Sequence, residues 1–342
     1  MKKRMIALIT VLVMVLSVCS GCGKKSTAEN LDYESVVLTV GDDEITLREA
    51  YFIMKWRQAE YQTMASSLYG DEWYNQDLTG TGTFINYIKD SVIEELETMY
   101  ILASNADDYG VSLSDEDKAE IETVVADFMA SNTEEARNAL GATEDIVRKV
   151  MTSYKIYSLM YNALLKDVDT SVTMEEAAQK TFEYIYQPLT ETDESGETVD
   201  MSTENQNQYH ATFTAIKGAV VGDVTFEEAA EQYGYSVSSH SYGAQDDGSF
   251  SDIDSIVDGL ALNEVSDVIP VEGGIFLLCL TSEYDEEATE TARETISNEK
   301  LAKAFETVYE EMKKDVSIEL NEDLWATANF DNAVAALANS GN

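Results

Sequence analysis

Six consecutive apolar residues, Ile275-Phe-Leu-Leu-Cys-Leu280, constrain this chain more than any other stretch. A run that short suits a strand buried on both faces better than one with a wet face. Gly273-Gly274 ahead of it marks a turn, and Leu260 to Val271 reads as a turn followed by a short strand or bend. Covering both faces of such a strand requires a small α+β domain around it. Helical periodicity dominates on either side.

With 342 residues, two or three domains fit, and 44% apolar content is enough to bury their cores. The formal charge of −43 is extreme. Residues 1–21 contain no acid but carry Lys2, Lys3 and Arg4, so removing them makes the balance more negative still. Such a surface repels nucleic acid and anionic lipid headgroups and favours solubility and basic partners.

The N-terminus reads as a targeting segment. Lys2-Lys3-Arg4 is a basic start, and Met5 to Val18 is an apolar run too short for a comfortable membrane span. Cys19-Ser-Gly-Cys22-Gly-Lys-Lys follows. It resembles a bacterial lipobox, with Cys22 the better candidate for lipid attachment because Ser20 and Gly21 precede it. Residues 1–21 are then a signal peptide and 22–35 a tether. Once Cys22 is acylated and residues 1–21 are gone, Cys279 is left as a lone thiol, and its apolar strand marks it as a core residue, not a nucleophile.

Beyond the tether, Val36–Val40 reads as a strand, Gly41–Glu44 as a turn and Ile45 as the return. Thr46-Leu-Arg-Glu49 has the form of a capping box opening a helix to about Ser67, with Leu47, Tyr51, Met54, Tyr61 and Met64 near one face. Further helical patterns cover Ile85 to Ala103, Asp115 to Met129 behind the cap at Ser114, and Thr143 to Lys166. Tyr154, Tyr157 and Tyr161 in the last are either core or a binding groove. Thr173 restarts a helix, and Phe182–Tyr186 is a strand. Residues 188–203 form an acidic loop, helices follow at 205–220 and 225–233, and 234–252 is a loop holding His240. A helix from Glu286 to Lys314 and an alternating strand Val316–Leu320 close the pattern. Pairing Val36–Val40 with Val316–Leu320 would close the helical parts into one domain around an insertion. Residues 326–342 read as a loosely held tail.

Chemistry-bearing residues are sparse. His210 and His240 are the two histidines, and neither has a local triad partner or metal-ligand spacing, so both read as surface residues. The acidic run Asp246–Asp254 lacks the ligand spacing of a calcium loop. No metal and no cofactor is expected.

The turn and strand carry a family pattern. Leu260, Val265, Ser266, Asp267 and Gly274 fall at the spacing of the closing turn of parvulin-type peptidyl-prolyl isomerases. Thr225-Phe-Glu-Glu-Ala-Ala-Glu-Gln-Tyr233 is similar to a helix of that family. Val37 to Thr46 resembles the opening strand of the PrsA/SurA chaperone domain, and Leu301 to Leu320 its C-terminal return. The resemblance implies an α+β fold: a mostly helical chaperone domain built from residues 36–171 and 286–325, with a parvulin-like domain at 172–285 inserted.

The resemblance also implies cleft positions. The family's two cleft histidines fall on Tyr184 and Phe276, its pocket phenylalanine on Ile253 and its methionine on Ser249. Only Gly243 remains near the family's glycine signature, and the glycine of the turn is Asn263, a residue that tolerates left-handed backbone. Prolyl isomerisation needs no nucleophile, only a pocket that lowers a rotational barrier of roughly 18–20 kcal/mol. With both histidines replaced, weak activity or none is expected. The implied function is an extracytoplasmic, lipid-anchored foldase of a Gram-positive bacterium, acting on unfolded exported polypeptides. A non-catalytic holdase on the same scaffold and a lipid-anchored solute-binding protein are the alternatives.

Overall fold

The computed structural model describes residues 16–18, 31–77, 80, 82–243, 250–330 and 334–336. It is α+β and divides into two compact units: residues to Val168 together with Lys303 onward, and Asp169–Ala302. Of the proposed signal peptide only strand β1 (Leu16–Val18) is described, and Cys22 and Ser249 lie outside the described residues.

The first unit begins with the hairpin β2 (Val36–Val40) and β3 (Asp43–Thr46), turned at Gly41, whose φ of 60° suits glycine. Helix α1 (Leu47–Tyr69) follows without the expected capping box, because the Thr46 side chain makes no capping bond. Backbone replaces it: Leu47 N–H donates to the Ser35 carbonyl at 2.8 Å and Arg48 N–H to the Tyr33 carbonyl at 3.0 Å. Residues 31–35 are therefore docked on the unit rather than forming part of a tether. Tyr33 packs edge-on against Tyr51 at 5.5 Å, and Arg48 lies over the Tyr33 ring. Glu49, freed from capping, is fully buried, where it accepts from Tyr100 Oη at 2.8 Å and pairs with Lys149 at 2.6 Å.

Helix α2 (Phe84–Ser104), α3 (Asp115–Ser131), the short α4 (Glu134–Ala139) and α5 (Glu144–Leu165) pack with α1 around one core containing Phe52, Trp56, Val92, Leu96, Phe128 and Val150. Ser114 and Asp117 form the capping box that starts α3. The expected face of α1 is only half right. Leu47, Tyr51 and Met54 are buried, but Tyr61 and Met64 point outward.

The second unit opens with one capped turn, α6 (Met174–Ala177), and the long strand β4 (Gln179–Pro188). The stretch 188–203, expected as a loop, contains a hairpin of β5 (Thr190–Thr192) and β6 (Thr198–Asp200) turned at Gly196. After α7 (Thr203–Ala219) and α8 (Phe226–Glu231), His240 lies in strand β7 (Ser238–Gly243) and not in the expected loop. Helix α9 (Ser251–Val257), β8 (Ile269–Val271) and β9 (Gly274–Ser282) complete an antiparallel sheet in the order β7-β4-β9-β8.

Helix α10 (Glu286–Lys313) begins in the second unit and ends in the first. Its start is tied to β4, where Gln179 N–H donates to Thr289 Oγ at 3.1 Å. Strand β10 (Ile318–Leu320) then pairs antiparallel with β2, Ile318 opposite Val40, so the two chain ends do join. The described residues beyond Trp325 are not a loose tail. After α11 (Glu322–Ala326), Ala328 and Phe330 are buried in the first unit, and β11 (Val334–Ala336) pairs with β1. Every strand pairing among the described residues is antiparallel, unlike the two α/β lobes of alternating strands and helices that a solute-binding protein would be expected to show.

Candidate functional site

The central sheet of the second unit is covered unequally. Pleating sends successive side chains of β9 to opposite faces. Ile275, Leu277 and Cys279 pack with Phe213 and Ile216 of α7 and with Phe226, Ala229 and Ala230 of α8. Leu278 and Leu280 face the other way, onto Ile253 and Val257 of α9. The apolar run is thus buried on both faces, as its composition requires.

The turn before β9 explains the Val-Ser-Asp pattern. Asn263 takes φ 66°, the one positive value at a non-glycine position among the described residues, and its N–H donates to the Leu280 carbonyl at 2.7 Å. Ser266 is almost fully buried and serves the strand twice: its N–H donates to the Leu278 carbonyl at 2.9 Å, and its hydroxyl accepts from Leu278 N–H at 3.1 Å. Asp267 meets Lys217 of α7 at 2.7 Å.

On the α9 side an aromatic strip lies beside the helix. Register places Phe276 of β9 opposite Tyr186, and Phe182 of β4 opposite His240 of β7. Tyr184 and Phe276 ring centroids are 5.7 Å apart, Tyr184 and Phe250 5.2 Å, and Tyr186 and Phe276 4.7 Å. His240 lies against Phe250 at 4.3 Å and against Phe182 at 5.5 Å. Tyr184, Phe250 and Phe276 are half-buried, while Tyr186 is 41% exposed. Edge-on and tilted ring pairs of this kind add to the stability that burial alone provides.

Of the residues singled out from sequence, Tyr184, Ile253 and Phe276 come to this one face. Ile253, on the inner side of α9, is buried against the sheet and so forms the base, not the rim. Three further residues were missed: Tyr186, His240 and Phe250. The alternation Ser238-Ser-His-Ser-Tyr242 held the signal for His240, since it sets His240 and Tyr242 on the face of Phe182.

Charge is kept to the margins of the strip. Lys180 pairs with Asp258 at 2.6 Å, and Tyr242 Oη donates to the same carboxylate at 2.9 Å, which holds the Asp258 carboxyl below its ordinary range. Cys279 faces the opposite side. Burial, with Glu183 adding to it, pushes its thiol up to about 11, so it stays neutral and unreactive. The face therefore offers mainly rings and desolvation, with its paired charges at the margin.

Two glycines permit this geometry. A Cβ on Gly274 would lie 2.3 Å from the Tyr186 ring, so the bare glycine lets Tyr186 settle across the sheet. A Cβ on Gly243 would lie 2.3 Å from the Ala178 carbonyl oxygen, a backbone atom that cannot swing away. Gly243→Ala is expected to destabilise the second unit by ~1–3 kcal/mol, the range for forced overpacking. Urea unfolding followed by far-UV circular dichroism measures it, and an unchanged midpoint would refute the close approach.

A helical unit closed by both chain ends around an inserted antiparallel α+β unit is the arrangement implied by the PrsA/SurA resemblance. The chain is similar over nearly its whole length to the foldase protein PrsA of Clostridium perfringens, 23% identical over 341 residues that cover 94% of this chain and 96% of the relative, in each of two strains. No protein-family model matches. Among solved structures, SurA-like chaperones of Campylobacter jejuni align at TM-score 0.29 and 12% identity, covering 84% of this chain and 98% of that chain. The Bacillus cereus peptidylprolyl isomerase PrsA aligns at TM-score 0.29 and 13% identity, covering 74% and 97%.

Proposed function

We propose that this chain is an extracytoplasmic foldase that holds unfolded segments of exported polypeptides, with Cys22 as its lipid anchor. The full-length similarity to the PrsA foldases supports the class. The observation that carries the reading is the aromatic strip of Tyr184, Tyr186, Phe250 and Phe276, left half-open on a sheet whose opposite face is closed. Rings with adaptable edges can take proline and other apolar side chains without reading a sequence. Among the described residues no helix is long and apolar enough to cross a membrane; in this reading the lipid on Cys22 provides the membrane attachment.

Rotation about an X–Pro bond needs the amide to leave planarity, and a dry ring-lined pocket favours the less polar twisted form. Tyr184 and Phe276 supply dryness but not the hydrogen-bonding network implied for the family's histidines. The expected result is suppression of client aggregation, with prolyl turnover near background in a protease-coupled assay on short X–Pro peptides. Turnover that Phe276→Asp abolishes would make the chain an enzyme instead. No suppression of aggregation at all would remove the foldase reading.

A further inference from the structure

We propose that a groove between α10 and strand β7 of the second unit binds a linear polyamine, a flexible chain carrying several ammonium groups. The groove is a cavity of about 540 Å³, within the range of small-molecule sites. It lies wholly in the second unit and shares only His240 with the aromatic strip. One wall is a face of α10, where Ala288, Ala292, Thr295 and Glu299 recur at spacings of three and four. The other is formed by His240 and Ser241 of β7, the outer strand of its sheet.

Burial separates the floor of the groove from its rim. Ile296 is buried and Ala288 and Ala292 are half-buried, whereas Glu287 and Glu299 are exposed. Helical rise sets those two glutamates about 18 Å apart along α10. The cavity is therefore long, with small apolar residues below and a carboxylate towards each end.

Asp285 adds a positioned charge near Glu287. It accepts from Ala288 N–H at 2.9 Å and from Thr181 Oγ at 2.6 Å, and Thr181 Oγ in turn meets Ser241 Oγ at 2.7 Å. The Ala288 N–H first, and the Thr181 hydroxyl next, hold its carboxyl below the ordinary range, so it is ionised at neutral pH. Each of its oxygens keeps a lone pair for a further donor. The Glu287 and Glu299 carboxylates have no partner among the described residues, and neither lysine nor arginine lines the cavity.

Carboxylates and hydroxyls with no cation of their own favour a positively charged guest. A single ammonium, as on a lysine side chain, meets one end only. A linear polyamine meets both, laying its methylenes on Ala288, Ala292 and Ile296 while its ammonium groups stay at the wet rim. A metal ion fits less well, because among the described residues no group of three or more His, Cys, Asp or Glu side chains could hold one.

The test titrates the full chain with spermidine in a calorimeter, against hexaamminecobalt(III), a compact ion of the same charge. Spermidine is expected to bind about tenfold more tightly than the compact ion, ~1.4 kcal/mol, and to weaken as salt rises. Glu287→Gln with Glu299→Gln, both exposed, should weaken spermidine binding about tenfold and leave the thermal melt of the free protein unchanged. Glu306→Gln with Glu311→Gln removes the same charge from exposed positions of α10 outside the cavity and should leave binding unchanged. Thr295→Trp fills the groove without altering charge and should abolish binding. Equal affinity for the compact ion, or an equal loss in both glutamate pairs, overturns the proposal, because the attraction would then be diffuse. Undiminished binding by the Glu287 and Glu299 pair or by Thr295→Trp overturns it as well. Tighter binding of an acetylated lysine-containing peptide than of spermidine would give the groove to polypeptide and also overturn it.

Discussion

Trp73→Ala is expected to destabilise the first unit by ~3–5 kcal/mol, the range for deleting a large buried aromatic. Trp73 is fully buried in a single 3-10 turn, where its ring meets Tyr74 at 5.8 Å, Phe84 at 5.2 Å and Phe330 at 5.9 Å. It joins its own turn, the start of α2 and the C-terminal segment, so the cavity left by alanine cannot be filled by a shift of one neighbour. Its indole N–H has no hydrogen-bond partner among the described residues. Trp73→Phe removes that unpaired donor and keeps a ring, so it should cost well under half as much. Urea titration followed by far-UV circular dichroism distinguishes the two variants, with each unit fitted as its own transition. A loss below ~1 kcal/mol for Trp73→Ala would show that the C-terminal segment does not depend on this contact.

The second large effect is expected at Glu95. Arg57 Nη2 reaches both carboxylate oxygens, at 2.8 and 3.0 Å, and Tyr154 Oη donates to Oε1 at 2.5 Å. Burial first, and Glu95 next, push the Tyr154 hydroxyl well above its ordinary pKa, so it remains a donor throughout the working range. Glu95→Ala leaves a mostly buried guanidinium with only Glu60 and a phenol with no acceptor. Breaking a buried pair from one side costs ~3–5 kcal/mol. Arg57 and Glu95 keep 26% and 19% side-chain exposure, which places the expectation at the lower end. Glu95→Gln, which still accepts from Tyr154, should recover part of the loss. The double variant Arg57→Met with Glu95→Ala should be less destabilised than the single losses summed, and strict additivity would show that the pair is not coupled.

Features set by local chemistry or strong periodicity were legible in the sequence. Ile275–Leu280 announced a doubly covered strand, Asn263 a left-handed turn, and Ser114 a helix start. The terminal strands Val36–Val40 and Val316–Leu320 could be matched because each alternates and little else in the helical parts does. What was hidden depends on partners far away. Thr46 and Glu49 spell a capping box, yet the Ser35 and Tyr33 carbonyls satisfy the neighbouring first-turn N–H groups of Leu47 and Arg48, and Tyr100 and Lys149 draw Glu49 inward. The β5–β6 hairpin is polar on both faces, so it has no hydrophobic period to read. Tyr61 and Met64 sit one position off the buried stripe of α1, which runs on through Gln58, Gln62 and Ala65; two buried glutamines hide it from a hydrophobic pattern. For the aromatic strip, Tyr184 and Phe276 came from family spacing, whereas Phe250 and His240 become neighbours only once α9 and β7 fold onto β4.

Closure of the first unit by β2 and β10 sets an order of assembly. A polypeptide made from its N-terminus exposes Val36–Val40 early, but its ladder partner Ile318–Leu320 arrives only after the whole inserted unit. The inserted unit is contiguous and can fold as soon as Ala302 has emerged. Domains fold as they appear, and contacts of long sequence separation form slowly. The helical half must therefore wait, its hairpin edge unpaired, while the sheet domain is already complete. A nascent chain halted before residue 318 should present a protease-resistant insertion flanked by cleavable helices.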